Sequence, residues 1–127
     1  MYSHLTIGCN DLDRAMRFYD ALFTAAGGTP GMRLDEERAL YAHKDGMLIV
    51  TRPVDGQPAT FGNGITVGLT MDSPEQVEAW HAAGAAAGGT PCEDPPGLRD
   101  KGVLKMHLAY LRDPDGNKLC AVYRYPE

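Results

Sequence analysis

Two short stretches of the chain, residues 4–9 and 66–71, alternate between apolar side chains and small or polar ones. Because successive side chains of a strand point to opposite faces, this alternation predicts two β-strands. The apolar face of each strand should pack on a helix, and the opposite face suits the lining of a cavity. The cavity faces would carry His4, Thr6 and Gly8 in the first strand, and Thr66, Gly68 and Thr70 in the second.

Each of these strands is followed by apolar residues at helical spacing. In the first half of the chain they cover residues 12–23, behind an N-cap at Asn10 or Asp11. In the second half Ser73 can cap the helix, and Pro74 suits its first position. Both helices should end at paired glycines, within the similar sequences TAAGGTP and AAAGGTP, which lie 61 residues apart (91 − 30). The pattern indicates an internal duplication.

Three further strand patterns follow each predicted helix. They cover residues 32–34, 38–44 and 46–52 in the first half, and residues 90–93, 104–112 and 117–125 in the second. Turn sequences, Asp45-Gly46 and Asp113-Pro114-Asp115-Gly116, join the last two strands of each half. Neither half would bury its sheet face alone. The sequence therefore predicts one α+β domain over residues 1–127, made of two tandem βαβββ modules at residues 1–58 and 63–127.

Composition and charge narrow the class of partner. At 127 residues, 43% of them hydrophobic, the chain has the size and composition of one globular domain. A net charge of −5 without a basic cluster disfavours a nucleic acid partner. No apolar run approaches the roughly 20 residues of a membrane span, so no membrane partner is expected. Three cysteines, and an N-terminus without a signal-peptide pattern, favour the cytoplasm.

The duplicated pattern and three stretches of sequence resemble the vicinal oxygen chelate superfamily, which contains glyoxalase I, extradiol dioxygenases, and fosfomycin- and bleomycin-resistance proteins. The stretches are SHLTIGCNDLDRAMRFYDALF, PPGLRDKG and AYLRDPDGNKLCAV. The resemblance covers essentially the whole chain. It implies a glyoxalase-like fold, in which the two modules form a half-open mixed sheet around a cavity, and it implies a homodimer. It says less about the reaction, because the superfamily supports several chemistries on one scaffold.

Metal-binding members of the superfamily carry their ligands on the first and last strands of each module. The resemblance places His4 at one of those positions and Cys120 at another, where a glutamate is usual. The internal repeat places Thr66 and Val50 at the equivalent positions of the other module, with a slip of one residue left open for the strand of Val50. A catalytic zinc or iron site needs about three protein ligands, and threonine is a poor ligand while valine is none. The resemblance therefore implies a degenerate metal site, with His4 as its remaining standard ligand and Thr66 and Cys120 as partners. No cofactor is expected.

Three other residues are candidates for the cavity. Tyr110 lies ten residues before Cys120 (120 − 110), which matches the spacing of an active-site tyrosine in dioxygenase-like members; a phenol there would donate to a substrate oxygen. Arg99 lies in a loop that resembles one closing over the family's cavity, where a guanidinium would hold a substrate carboxylate. His107 would supply a further ligand or substrate contact. It has the opposite strand parity to Tyr110, so only a bulge would aim both inward.

Three functions are compatible with these residues. The favoured one is a metal-independent protein that binds a small polar or aromatic metabolite or drug through His4, Thr66, Tyr110 and Arg99. The second is a lyase, isomerase or dioxygenase that depends on a divalent metal, namely zinc, nickel, iron or manganese. The third is a metal-free enzyme with His4 as the acid–base group and Cys120 as the nucleophile. Lactoylglutathione lyase activity is not expected, because its mechanism relies on a metal to stabilise the enediolate.

Overall fold

The computed structural model describes residues 1–126 and shows two βαβββ modules, the second with one additional strand. The α+β fold predicted from the sequence is confirmed. The first module contains β1 (Leu5–Gly8), α1 (Leu12–Ala25), β2 (Met32–Arg33), β3 (Arg38–His43) and β4 (Gly46–Thr51). The second contains β5 (Val67–Thr70), α2 (Pro74–Ala86), β6 (Thr90–Pro91), β7 (Gly97–Asp100), β8 (Lys105–Arg112) and β9 (Lys118–Arg124).

Both helices begin with the caps that the sequence predicts. The Asp11 carboxylate accepts from the Arg14 N–H at the start of α1, and the Ser73 hydroxyl oxygen accepts from the Gln76 N–H at the start of α2. These bonds satisfy N–H groups that have no partner within the helix. Pro74 is the first residue of α2, as expected.

Each module forms its own sheet. Sheet A has the strand order β1-β4-β3-β2, and sheet B has the order β5-β9-β8-β6 with β7 also paired to β8. The first and last strands of a module are parallel neighbours, and the other pairs are antiparallel. Strand β7 lies where the sequence predicted only a loop. It forms because β6 pairs with no more than the last two residues of β8, which leaves the edge of residues 105–108 open to a second strand.

The register of the strands corrects one assignment. Val50 was predicted to stand at the position equivalent to Cys120, but Ile49 occupies that position: Ile49 pairs with Thr6, and Cys120 pairs with Gly68. Equivalent positions of the two modules are 70 residues apart in the strands before the last turn (110 − 40) and 71 residues apart in the strands after it (120 − 49). The difference arises because the turn of the second module contains one more residue. A shift of one residue turns a side chain to the other face of a strand, so Val50 is buried under α1.

One continuous core joins the two modules. We call the side of each sheet that faces the helices its inner face; the inner faces of both sheets contribute to this core, with Cys9 and Val50 from sheet A and Val67 and Leu111 from sheet B. Phe18 of α1 fits against Gly89 so closely that a Cβ atom there would lie 2.5 Å from its ring. The apolar face of β1 packs toward the helices, as predicted, except at Leu5, which is 42% exposed. Among residues 1–126, no helix is long and apolar enough to cross a membrane.

Two junctions hold the sheets together beside this core. At the Asp113 junction, the Asn117 Nδ2 donates to the Gly8 carbonyl at 2.9 Å, and the Tyr19 hydroxyl donates to the Asp113 carboxylate at 2.5 Å. At the His43 junction, the His43 Nε2 lies 2.7 Å from the Thr70 carbonyl oxygen. The first junction is near the end of β1, and the second is at the end of β5.

Candidate functional site

The predicted site residues Tyr110 and Cys120 meet on the outer face of sheet B, the face turned away from the helices. They are direct cross-strand partners on β8 and β9, and Cys120 is also the partner of Gly68 on β5. The row continues to Cys92, whose N–H donates to the Tyr110 carbonyl at 3.4 Å. Gly68 has no side chain, and a Cβ placed there would make ordinary contact with Val122 at 3.9 Å, so no β5 side chain stands beside Cys120 in this row.

Tyr110 and Cys120 both hold their protons at neutral pH. Cys120 is only 4% exposed, and burial raises the pKa of its thiol above the usual value. Burial, together with the neighbouring Cys120 side chain, raises the pKa of Tyr110 to about 12. The phenol is therefore a hydrogen-bond donor, and the thiol is not the thiolate that a nucleophile requires.

Cationic side chains surround this row on the same face. Cross-strand pairing places Arg112 beside Lys118 at one end, and Arg99 and Arg124 on either side of Met106 at the other. Lys118 forms an ion pair with Glu93. Its ammonium also lies 5.1 Å from the centre of the Tyr110 ring.

None of the three arginines forms an ion pair with a carboxylate in residues 1–126. The Arg99 Nη2 donates to the carbonyls of Asp94 and Pro95, at 3.3 and 2.9 Å, and the Arg112 Nη1 donates to the Gly116 carbonyl at 2.8 Å. Carbonyls hold these guanidinium groups in place without neutralising them. The outer face of sheet B is therefore positively charged in a protein whose net charge is −5.

The structure does not place His4 in this row. His4 is exposed immediately before β1, and its Nδ1 lies 2.8 Å from the Ser3 hydroxyl. It lines a cavity at the His43 junction that neither Tyr110 nor Cys120 lines. Thr66 precedes β5, is exposed, and shares the parity of Gly68 on the outer face. Within one chain, Cys120 therefore does not line the cavity that His4 lines.

His107 lies on the opposite face of β8 from Tyr110. Its Nε2 is 3.0 Å from the Glu78 carboxylate on α2, and its cross-strand partner is Tyr123, which packs against the core. The strand is regular from Met106 to Arg112, so no bulge reverses its parity. The alternative of a third inward ligand or substrate contact at His107 is therefore wrong for the outer face of sheet B.

The family's metal ion does not fit the side chains of this chain. The four expected positions hold His4, Ile49, Thr66 and Cys120, of which isoleucine cannot coordinate and the threonine hydroxyl is a weak ligand. In the part of the chain that the structure describes, no three His, Cys, Asp or Glu side chains are grouped closely enough to hold a metal. The remaining donors are one imidazole and one protonated thiol on separate sheets.

Sequence reasoning missed three cations of the outer face, Arg112, Lys118 and Arg124. The sequence contained the information, because Lys118 and Arg124 are an even number of residues from Cys120 in β9 and therefore lie on the same face of the strand. Arg112 is two residues from Tyr110 in β8 and therefore lies on the same face as Tyr110. Their grouping with Arg99 depends on β7, which the sequence did not predict.

Comparisons with known proteins agree with this fold. The family described as "Glyoxalase-like domain" matches residues 4–122. A glyoxalase/bleomycin resistance protein from Albidiferax ferrireducens T118 is 53% identical, with a TM-score of 0.93 over 98% of this chain and 99% of that one. A glyoxalase/bleomycin resistance protein/dioxygenase family enzyme from Burkholderia phytofirmans PsJN is 16% identical, with a TM-score of 0.72 over 97% of this chain and 98% of that one, and shows the fold alone.

The hypothetical protein SA1046 from S. aureus shares the same fold at 19% identity, with a TM-score of 0.72 over 97% of this chain and 93% of that one. No curated protein matches the chain. The family match spans nearly all of the chain, and the 53% identical neighbour covers it almost end to end. This chain therefore belongs to the glyoxalase-like domain family, within the glyoxalase/bleomycin resistance/dioxygenase group of proteins.

Proposed function

We propose that this protein binds a small organic anion on the outer face of sheet B and does so without a metal ion. The observation that carries the proposal is that Arg99, Arg112 and Arg124, on the face that also holds Tyr110 and Cys120, form no ion pair with a carboxylate in residues 1–126. Uncompensated guanidinium groups on one face attract a carboxylate, phosphonate or phosphate group, which they can bind through two parallel hydrogen bonds.

The middle of the same face suits the body of such a ligand. Leu108 and Val122 are cross-strand partners between the Tyr110 row and the Met106 row, and both point to the outer face. Their apolar surface would pack against an aromatic or aliphatic body, while the Tyr110 hydroxyl donates to a ligand oxygen. Apolar walls with a few well-placed polar groups are the usual composition of a small-molecule site.

The two enzymatic alternatives receive less support from the same atoms. A metal-dependent lyase, isomerase or dioxygenase needs a ligand set that these positions do not supply, and lactoylglutathione lyase activity depends on such a set. A metal-free reaction through Cys120 needs a thiolate, and burial favours the protonated thiol there. In addition, His4 and Cys120 form no hydrogen bond with each other in residues 1–126; the His4 Nδ1 lies 2.8 Å from the Ser3 hydroxyl instead.

A homodimer is part of this proposal. The outer face of sheet A is apolar where that of sheet B is cationic: Met32, Leu40 and Ile49 form one row across three strands, with Met47 beside it. Met32 and Met47 are exposed in the single chain. A second copy that covers this row would remove apolar surface from water. Light scattering coupled to size-exclusion chromatography should give twice the mass of 13.7 kDa, and Met47→Lys should lower it toward that of a monomer.

Calorimetric titration with benzoate and phenylphosphonate tests the ligand class. Arg99→Gln and Arg124→Gln should each weaken binding about tenfold by removing one charged hydrogen-bond partner. Arg17→Gln is the matched control, because Arg17 is exposed on α1 and distant from this face. Neutral benzamide should bind more weakly than benzoate; equal binding of the two would contradict an anion site.

Metal analysis tests the other half of the proposal. Purified protein should carry no stoichiometric zinc, nickel, iron or manganese, and titration with these ions should not raise the melting temperature. A tightly bound metal stabilises the native state by several kcal/mol, so its effect would be easy to detect. Such stabilisation, lost in His4→Ala and Cys120→Ala, would establish the metal-dependent alternative instead.

A further inference from the structure

The cavity at the His43 junction has a volume of about 460 Å³. Its volume falls within the range of small-molecule pockets. Both sheets and α1 supply its apolar walls, so it is distinct from the outer face of sheet B. The walls include Leu5, Phe23, Tyr41, Leu48, Val67 and Leu69.

One wall of this junction cavity is an unpaired strand edge. β5 is the edge strand of sheet B, and the Met71 N–H donates to the Val122 carbonyl at 2.8 Å, which fixes the residues of β5 that face β9. In a parallel ladder the alternate residues, here Gly68 and Thr70, point their backbone groups away from the neighbouring strand. The Thr70 carbonyl accepts from His43, whereas the N–H and C=O of Gly68 have no partner in residues 1–126.

In the first module, the end of β1 is the place equivalent to the end of β5, and the linker between the modules covers it. Gly8 corresponds to Thr70 (70 − 8 = 62), and a Cβ on Gly8 would lie 3.0 Å from Ala59 of the linker. Asn10 fixes that part of the linker, since its Oδ1 accepts from the Ala59 N–H at 2.7 Å. At the end of β5 the cavity opens instead, with Met1, Tyr2 and Ser3 along its border.

The polar rim favours a neutral ligand. Lys44 lines the cavity but forms an ion pair with Asp72, so its charge is compensated. His4 and His43 contribute imidazoles, and Asp45 contributes one carboxylate. An anionic ligand would meet no uncompensated Lys or Arg among the cavity's lining residues, so hydrogen bonding and apolar contact remain as the sources of affinity.

The two junctions limit the length of the ligand. His43 bonds across to Thr70 at one end of β5, and Asn117 bonds across to Gly8 near the other end. An extended peptide that added a strand to β5 would have to break at least one of these bonds. A compact molecule can reach Gly68 without disturbing either of them.

From these features we infer that the junction cavity binds a neutral, planar cyclic amide. The N–H and C=O of the amide would pair with the C=O and N–H of Gly68, as a neighbouring strand would, and its ring would lie between Leu5 and Leu69. Gly68 also borders the outer face of sheet B, but the lactam would use the backbone of Gly68 and the anion would use the arginines, so either proposal can fail without the other.

Titration with 2-quinolinone, a neutral bicyclic lactam, tests the inference. Leu5→Trp should fill the cavity and weaken binding at least about tenfold. Leu104→Trp is the matched control, because Leu104 is 41% exposed against 42% for Leu5 but does not line the cavity; it should bind like the unmodified protein. Leu69→Phe fills the cavity from the other wall and serves if Leu5→Trp does not fold.

Methylation of the lactam nitrogen tests the contact with Gly68. 1-Methyl-2-quinolinone lacks the donor and should bind about tenfold more weakly, as the loss of one hydrogen bond predicts. Equal binding of the two lactams, unchanged binding by both filled variants, or no binding of 2-quinolinone at its solubility limit would each overturn the inference. Binding of an extended alanine-valine pentapeptide in preference to the lactam would also overturn it, in favour of strand addition.

Discussion

The two junctions between the sheets occupy equivalent places in the duplicated modules, yet they are built differently. Asp113 and His43 stand at equivalent positions (113 − 43 = 70), as do Gly8 and Thr70, and at each junction a side chain bonds to the carbonyl that ends a first strand. At the Asp113 junction this bond belongs to a buried network. At the His43 junction it stands beside a cavity. The same scaffold therefore supports a buried, hydrogen-bonded connection at one end and an open space at the other.

A buried hydrogen-bond network forms the Asp113 junction. Asp113 is buried, and its two oxygens accept from the Tyr19 hydroxyl, the Asn117 Nδ2 and the N–H groups of Asp115 and Asn117, at 2.5 to 2.9 Å. Arg14 reaches the same turn through Asp115 at 2.9 Å. A buried carboxylate is stable only when its oxygens are bonded in this way, so the turn, α1 and β9 are held to one arrangement.

Removal of the carboxylate should have the largest effect on stability. Asp113→Ala leaves the Tyr19 hydroxyl and two backbone N–H groups buried without acceptors, and should lower the free energy of unfolding by about 3 kcal/mol or more. Urea denaturation followed by circular dichroism measures this loss. A loss below about 1 kcal/mol would mean that water replaces the carboxylate and that the network contributes little.

Tyr19→Phe isolates the bond that joins the two modules. The ring and its packing remain, while Asp113 loses the hydroxyl of α1, so the expected loss is about 1.5–3 kcal/mol for a hydrogen bond to a charged group. Tyr41→Phe is the matched control. Its hydroxyl donates to Asp20 at 2.6 Å within the first module, and Asp20 is partly exposed, so water can replace that donor. The same loss in both variants would show that the Asp113 bond has no special part in joining the modules.

Alkaline pH should lower the stability of the protein through Cys9, which is buried beside the Asp113 junction. Burial, with Asp115 and Asp113 nearby, raises the pKa of Cys9 from 9.0 to about 11. Between these values the unfolded chain releases the thiol proton and the folded protein retains it. Stability that is complete below pH 9 is therefore lost as the pH rises, by about 1 kcal/mol between pH 8 and 10. Denaturation of the wild type and Cys9→Ala at both pH values measures the difference; parallel curves would disprove the shift.

The sequence predicts the duplicated fold because its signals are local. Alternating residues, caps at Asp11 and Ser73, and paired glycines each act over a few positions, and the resemblance extends over the whole chain. The site depends on registers that no local signal sets. One additional residue in the second turn moved Ile49 to the position predicted for Val50. The partner of Tyr19 lies 94 residues away, so nothing near Tyr19 distinguishes it from an ordinary core residue.

His43→Ala should have the smallest effect of the four. His43 is partly exposed and makes one hydrogen bond to Thr70, so its replacement should cost about 1 kcal/mol or less in the free energy of unfolding. Its ring also packs 5.5 Å from the centre of the Phe23 ring, and His43→Phe retains that contact while removing the bond. If His43→Ala cost as much as Asp113→Ala, the open junction would carry as much of the energy that joins the sheets as the network does. A small cost instead leaves the end of β5 free to adjust around a ligand, because little of the fold depends on it.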